Sequence, residues 1–300
     1  MRIPLLLVAF ALASGCATAG GPDRTASFAS DQDVQLAVYN VGFGAVVGAI
    51  GAAVNGDRGT VWERAGRGAA TGAAGGAGLY AGKWLAGQIA VSESYAWGLP
   101  ATLVHEADAS VVENTALGEP ALSRLSAHLG PVRLDVRPAS GAVQARLLPL
   151  NALALVLLAA DGHRFYPGRS LLYGAPVFFG DGPARNPLFY GDRQWGGVVA
   201  LGSVYVDGLD SYGIAAHELV HVMQHREFLR TGALFGPIDD ALSRSPAYRT
   251  AGDWVYLENV SVQAAAFFVV QGGAQFDGCY YSNWFEFEAD AFGRRRRIPC

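Results

Sequence analysis

The chain has 300 residues, 51% of them apolar, enough for one large domain or two modest ones with real cores. Charged residues make up only 16% and the formal net charge is −4, which excludes the broad basic field that a nucleic-acid partner requires. The basic residues are almost all arginine, Lys83 being the only lysine, and the one dense basic run, Arg294–Arg297, reads as a solvated tail.

The sequence begins "MRIPLLLVAFALASGC". Arg2 supplies a positive start, an apolar stretch follows, and small residues precede Cys16, so residues 1–15 read as a secretory signal peptide too short to span a membrane. Ala13-Ser14-Gly15-Cys16 resembles a bacterial lipoprotein processing box. The usual Leu of that box stands one place early, at Leu12. The resemblance implies cleavage before Cys16, lipid on its thiol, and a protein anchored in the bacterial cell envelope facing the periplasm. Residues 16–30 are small and polar and read as a tether. Two cysteines then remain, Cys279 and Cys300. An oxidising compartment permits a disulfide between them, and two unpaired thiols are the alternative.

Residues 31–120 form a Gly-rich helical region. Gly44/Gly48 and Gly68/Gly72/Gly76 recur at four-residue spacing, which lets two helix backbones approach closely. The pattern predicts a helical hairpin, 33–55 against 66–90, joined by a polar hinge. Its arms are long enough to span a bilayer, but Gln35, Asn40, Lys83 and Gln88 interrupt them. A hairpin that is soluble or rests on the membrane is the expectation.

Residues 121–208 read as β-rich. Short apolar or alternating runs at 131–138, 142–150, 152–165, 170–182 and 196–208 are separated by turn residues such as Pro138, Gly141, Gly162 and Gly168. A mainly antiparallel sheet is expected. From 209 to 300 a helical pattern returns, with Asp210 or Ser211 as N-cap of a helix running through Arg230 to a stop at Gly232. Further helices are expected near 238–244, 254–270 and 281–293. The chain as a whole is predicted to be α+β.

The chemistry lies in "GIAAHELVHVMQHREFL", residues 213–229, which holds three of the six histidines. On a helix, His217 and His221 are one turn apart on one face and can aim both imidazoles at one Zn²⁺ ion at about 2.0–2.1 Å per nitrogen. Glu218, one residue round the helix, stands beside that ion, where it can take a proton from water. This is the mechanical content of the HExxH pattern. His225 keeps the spacing but lies about 12 Å from His217 along the axis. It is expected to be a polar surface or cleft residue.

Downstream, "NWFEFEADAFG" occupies residues 283–293. HExxH followed by a helix bearing E-F-x-A-D resembles the gluzincin metallopeptidases of the CAAX-prenyl endopeptidase and HtpX-like families. The resemblance covers about 25 residues, and the chain lacks the obvious series of long apolar spans of the membrane-embedded members. It implies Glu286 as third zinc ligand, Asp290 as the carboxylate that holds a ligand histidine, Glu288 as an intervening position, and Ala289 as the small residue that lets the helices meet.

The expected activity is that of an exported zinc metalloendopeptidase acting on protein or peptide substrates. Glu218 is the general base, and His217, His221 and Glu286 hold the metal. Tyr256, Tyr280, Tyr281 and His105 are the candidates for stabilising the oxyanion. A non-catalytic lipoprotein scaffold or binding protein that retains a zincin core is the alternative. Oligomeric state leaves no trace in the sequence.

Overall fold

Glycine sets the first packing contact of the molecule. Helix α1 (Asp31–Asn55) and helix α2 (Val61–Ser92) lie back to back as the predicted hairpin. A Cβ added at Gly44 would stand 2.1 Å from the carbonyl oxygen of Gly72, and one at Gly48 would stand 2.3 Å from that of Gly68. Only glycine permits such an approach. The polar hinge ends in a capping box: Thr60 accepts from the N–H of Glu63, whose carboxylate accepts from the N–H of Thr60. The computed structural model describes residues 31–160, 162–179, 197–200, 203–206, 211–257 and 284–293. The expected signal peptide, the lipid-bearing Cys16 and its tether, Cys279, Cys300, Tyr280, Tyr281, Arg294–Arg297 and most of the helix expected at 254–270 lie outside the described residues.

A third helix, α3 (Gly98–Ala116), packs against α2. Gly75 of α2 faces the side chain of Val112 and Gly82 faces His105. Three strands follow, β1 (Leu125–Leu129), β2 (Val132–Arg137) and β3 (Ala142–Leu147), as an antiparallel meander with β1 against α3. The tight turns between them use Gly130 and Gly141, at φ of 60° and 67°.

Two of the five predicted strand runs are helical in part and keep only a short strand towards their ends. Residues 149–160 form α4 (Pro149–Ala160) and residues 167–173 form α5 (Pro167–Tyr173). The run through α4 is rich in leucine and alanine, opens on a proline and is long for a strand. Apolar content without clear periodicity does not separate a packed helix from a strand. The remaining strands are short: β4 (Arg164–Phe165), β5 (Val177–Phe179), β6 (Gly197–Ala200) and β7 (Ser203–Val206). They form a second sheet in the order β4-β5-β7-β6, antiparallel except for the β5–β7 pair.

Helix α6 (Tyr212–Arg230) begins at Ser211, whose hydroxyl accepts from the N–H of Ile214, and passes into a 3-10 turn at Thr231. Then come α7 (Gly236–Leu242), α8 (Pro246–Trp254) and α9 (Trp284–Gly293). The described residues are therefore mostly helical with two small sheets, compatible with α+β in its broad sense. The main apolar core, with Ala86, Ile89, Ala101, Tyr173, Leu219, Val222, Met223, Ala289 and Phe292, gathers α2, α3, α5, α6 and α9.

Charge also runs through this interior. Lys83, an interruption in the sequence pattern of the hairpin, is fully buried. Its Nζ donates to Asn40 Oδ1 at 2.9 Å and lies 2.8 Å from both Glu227 Oε1 and Glu288 Oε2. Burial favours its neutral form, but the two carboxylates outweigh burial and raise its pKa above the ordinary value. A second network joins α3 to β2 and α6: Arg133 donates to both oxygens of Glu113 at 2.9 Å, and Arg230 bridges Glu113 and Glu106.

Helix α1 is long and apolar enough to cross a membrane by length and composition. Through Asn40 it is also tied to the buried lysine.

Two outcomes test this packing. Gly66 faces open space while a Cβ at Gly72 meets a carbonyl oxygen at 2.1 Å, so Gly66→Ala is expected to stabilise by up to about 1 kcal/mol and Gly72→Ala to destabilise by about 1–3 kcal/mol in denaturant melts. Acid should act in a single direction. Burial holds His128 at about 4 and His225 at about 3, whereas in the unfolded chain both take protons near 6.5. Below that value the unfolded state binds more protons, and stability falls with pH. Burial opposes ionisation of Asp135, but Arg133, Ser126 and Arg146 outweigh it and hold the carboxyl at about 2; its contribution is complete above 3.8 and lost towards 2. Melting temperature is thus expected to drop steadily as pH falls below about 6.5; a rise between 6.5 and 4 would contradict the assignment.

Candidate metal centre

Helix α6 carries its histidines into the protein rather than to the surface, because Ala215, Ala216, Leu219, Val220, Val222 and Met223 bury most of its circumference. His217 and His221, one turn apart, turn edge to face with ring centroids 4.6 Å apart at 85°. Their Nε2 atoms stand 3.0 Å from each other.

Helix α9 crosses α6 at a pair of glycines. A Cβ at Gly293 would lie 2.9 Å from the carbonyl oxygen of Gly213 and 2.9 Å from Cβ of His217. Ala289, fully buried, belongs to the same core. Glu286 Oε2 consequently lies 3.3 Å from Nε2 of His217 and 3.3 Å from Nε2 of His221. Four donors arranged tetrahedrally around an ion at about 2.0–2.1 Å stand roughly 3.3 Å from one another. The two carboxylate–imidazole separations match that figure, and the imidazole–imidazole separation, 3.0 Å, is slightly shorter.

A second observation supports the fit. Glu286 Oε2 is buried and has no hydrogen-bond partner among the described residues, although two imidazole nitrogens are near. A lone pair held there without a proton donor in line suits a cation between the three atoms. His217, His221 and Glu286 form the one group among the described residues whose donor atoms could jointly hold a metal ion, all within 4.8 Å of one another.

Carboxylates surround the rings. Asp290 Oδ1 lies 2.9 Å from Nδ1 of His217, a close approach rather than an aligned hydrogen bond. Burial disfavours a positive charge on His217, but Asp290, Glu286 and Glu218 outweigh burial and lift its pKa to about 9. On His221, too, burial is overcome, chiefly by Glu286, and the pKa is raised. Burial opposes ionisation of Glu286, but His221 and His217 hold its carboxyl far below the usual range. The pocket thus attracts cations generally, and protons compete with a metal for the same lone pairs.

The other expected residues fall elsewhere. Glu218 is buried beside the triad and acts electrostatically on both rings. Glu288 is no ligand: it bonds Asn40, Lys83 and Gln224. His225, expected at a surface or cleft, is only 7% exposed, because α6 is covered on that side too by α3 and the residues around His128. Two of the proposed oxyanion donors are engaged away from the triad. His105 Nε2 is 2.9 Å from Glu227 Oε1, and Tyr256 lies under Arg133 with its hydroxyl 3.5 Å from Glu113.

Sequence reasoning also passed over Gln224. It follows His221 by three residues, and its Oε1 lies 2.8 Å from the ring Nδ1. The i, i+3 spacing alone was the available signal.

Elemental analysis of protein purified and dialysed without chelator is expected to find about one divalent ion per chain, with His217→Ala, His221→Ala or Glu286→Ala each losing it on dialysis. Retention by all three variants would remove the triad as a metal site.

Compared with protein-family models, curated proteins and solved structures, the chain matches none.

Proposed function

We propose that the chain is a zinc-dependent endopeptidase of the gluzincin type, exported and held at the bacterial envelope by lipid on Cys16, that cuts peptide bonds of envelope proteins. The observation that carries this reading is the meeting of His217, His221 and Glu286 at tetrahedral donor spacing with Glu218 next to the first ligand. The helix pair α6 and α9 then forms a zincin-like core. Two histidines and a carboxylate, with a fourth position left for water or substrate, are the donor set of catalytic rather than structural zinc sites.

A zinc ion bound there supplies Lewis acidity, polarising the peptide carbonyl and acidifying water. The work of the chain is positioning and proton transfer. His217 and His221 present Nε2, and Glu286 presents a carboxylate oxygen to the same point. Asp290 stands behind His217, its Oδ1 2.9 Å from Nδ1, and its charge favours a proton on that nitrogen. Glu218 accepts the proton of the attacking water and passes it to the leaving amine. The apolar walls of α6 and α9 keep bulk water from the carboxylates, which strengthens each electrostatic contact.

The hairpin belongs with the body in this reading. A bilayer-spanning α1 would withdraw Asn40 from Lys83 and Glu288, leaving buried polar groups without their partner. Attachment to the membrane then falls to the lipid at Cys16.

Glu218→Gln separates catalysis from metal binding. The variant is expected to keep one zinc per chain and to cleave an unfolded casein substrate about 10²–10⁴-fold more slowly than wild type. Equal rates would take Glu218 out of the reaction. Zinc with no cleavage by wild type would favour a scaffold protein built on the same core.

A further inference from the structure

His221 has one partner whose identity determines its chemistry. Gln224 Oε1 meets its Nδ1 at 2.8 Å, and the amide of Gln224 has no freedom to turn round. Its Nε2 faces the carbonyl oxygen of Phe285 at 3.0 Å and Glu288 Oε2 at 2.9 Å. Both are acceptors, so the amide nitrogen must point at them and the amide oxygen must point at the ring. An oxygen can only accept there. Nδ1 of His221 therefore carries a hydrogen, and the lone pair is left on Nε2, facing Glu286 and His217.

The orientation of Gln224 is itself imposed from the N-terminal hairpin. Glu288 accepts from Lys83 Nζ at 2.8 Å on one oxygen and from Asn40 Nδ2 at 2.7 Å on the other. Asn40 is likewise fixed, since its Nδ2 also donates to the carbonyl oxygen of Leu36 while its Oδ1 accepts from Lys83. Every polar atom in the series has one consistent role, from the buried ammonium of α2 to the imidazole of α6. His217 has Asp290 behind it, close but angled; His221 has an aligned neutral amide.

We propose that Gln224 is a positioning residue for the second metal-ligating histidine, oriented through Glu288 by Lys83 and Asn40, so that the Gly-rich hairpin is an integral part of the metal site. The proposal rests on the metal reading of His217, His221 and Glu286. It assigns a neutral acceptor to one ligand and a carboxylate to the other, which makes the two histidines unequal: Asp290 strengthens the donor power of His217, while Gln224 directs His221 without adding charge.

The test uses the full chain, loaded with Zn²⁺ for affinity and with Co²⁺ for visible spectra. Gln224→Leu removes the acceptor at similar volume and is expected to weaken Zn²⁺ binding about 10–100-fold in chelator competition. In Zn²⁺-loaded wild type the His221 Nδ1 proton should appear in ¹H–¹⁵N spectra as a slowly exchanging resonance. It should be lost in Gln224→Leu while the His217 ring signals persist, a difference that a general loss of packing would not produce. Glu288→Gln is the second variant, read in the same way if Gln224→Leu does not fold. It leaves the ring partner in place but gives Gln224 an amide where it had a carboxylate, and a smaller loss of affinity, about 3–10-fold, is expected. Unchanged Zn²⁺ affinity, Co²⁺ spectrum and Nδ1 exchange in a folded variant would overturn the proposal and leave the metal site standing. A wild type that binds no Zn²⁺ would overturn the metal reading, and this proposal with it.

Discussion

An ammonium group sealed from water must give its protons to acceptors inside the protein, because a buried charge without partners costs several kcal/mol. Lys83 satisfies that demand with Asn40 of α1, Glu227 of α6 and Glu288 of α9. These residues are far apart in the chain, yet the geometry of one nitrogen brings three helices around α2 at fixed register. Helix α9 is short, and α6 and α9 are separated by a long stretch of sequence. The ion pair between Lys83 and Glu288 is one of the contacts that set which face of α9 meets α6, and Glu286 shares that helix. Placement of Glu286 in the candidate triad therefore depends on a residue outside it.

The other flank of α6 is held in the same manner. Arg226 and Arg230 reach Glu106 and Glu113 of α3, and Glu113 also takes both hydrogen bonds from Arg133 of β2. Burial works against ionisation of Glu106, but His128, Arg226 and Arg230 outweigh it and keep the carboxyl well below its usual range. Replacing such networks with apolar residues often leaves stability unchanged or improved, so we read them as setting register rather than as the main source of folding energy. A helix gripped by charge on two sides has little freedom to rotate. It therefore keeps the two imidazoles of the candidate triad facing one point.

The parts of this arrangement that were legible in the sequence are those fixed by local periodicity. The four-residue spacing of His217 and His221, the cap at Ser211 and the glycine repeats of the hairpin each follow from helix geometry, and the structure has them as expected. The pairing of Glu286 and Asp290 with the histidines came from a motif resemblance, not from periodicity; the two carboxylates stand 3.3 Å and 2.9 Å from the ring of His217. Features that depend on partners distant in sequence were not legible. Lys83 looked like an interruption in an apolar arm, His225 like a polar surface or cleft residue, and Gln224 had only its spacing from His221 to mark it. Helix α4 was misread for a different reason: twelve mostly apolar residues carry little periodic signal, and only the packing around them decides between helix and strand.

The crossing of α6 and α9 at Gly213 and Gly293 has a consequence for the shape of the candidate site. Where main chains touch, helix separation is set by covalent backbone dimensions and cannot contract, whereas side-chain packing elsewhere can relax by fractions of an ångström. The crossing is thus a hard stop on one side of the donor triangle. The donor spacing already suits an ion needing donors at about 2 Å, and the contact keeps that spacing from closing up before an ion arrives. Preorganisation of the donor triangle would then rest on a pair of hydrogen atoms, the side chains that glycine has in place of a methyl group.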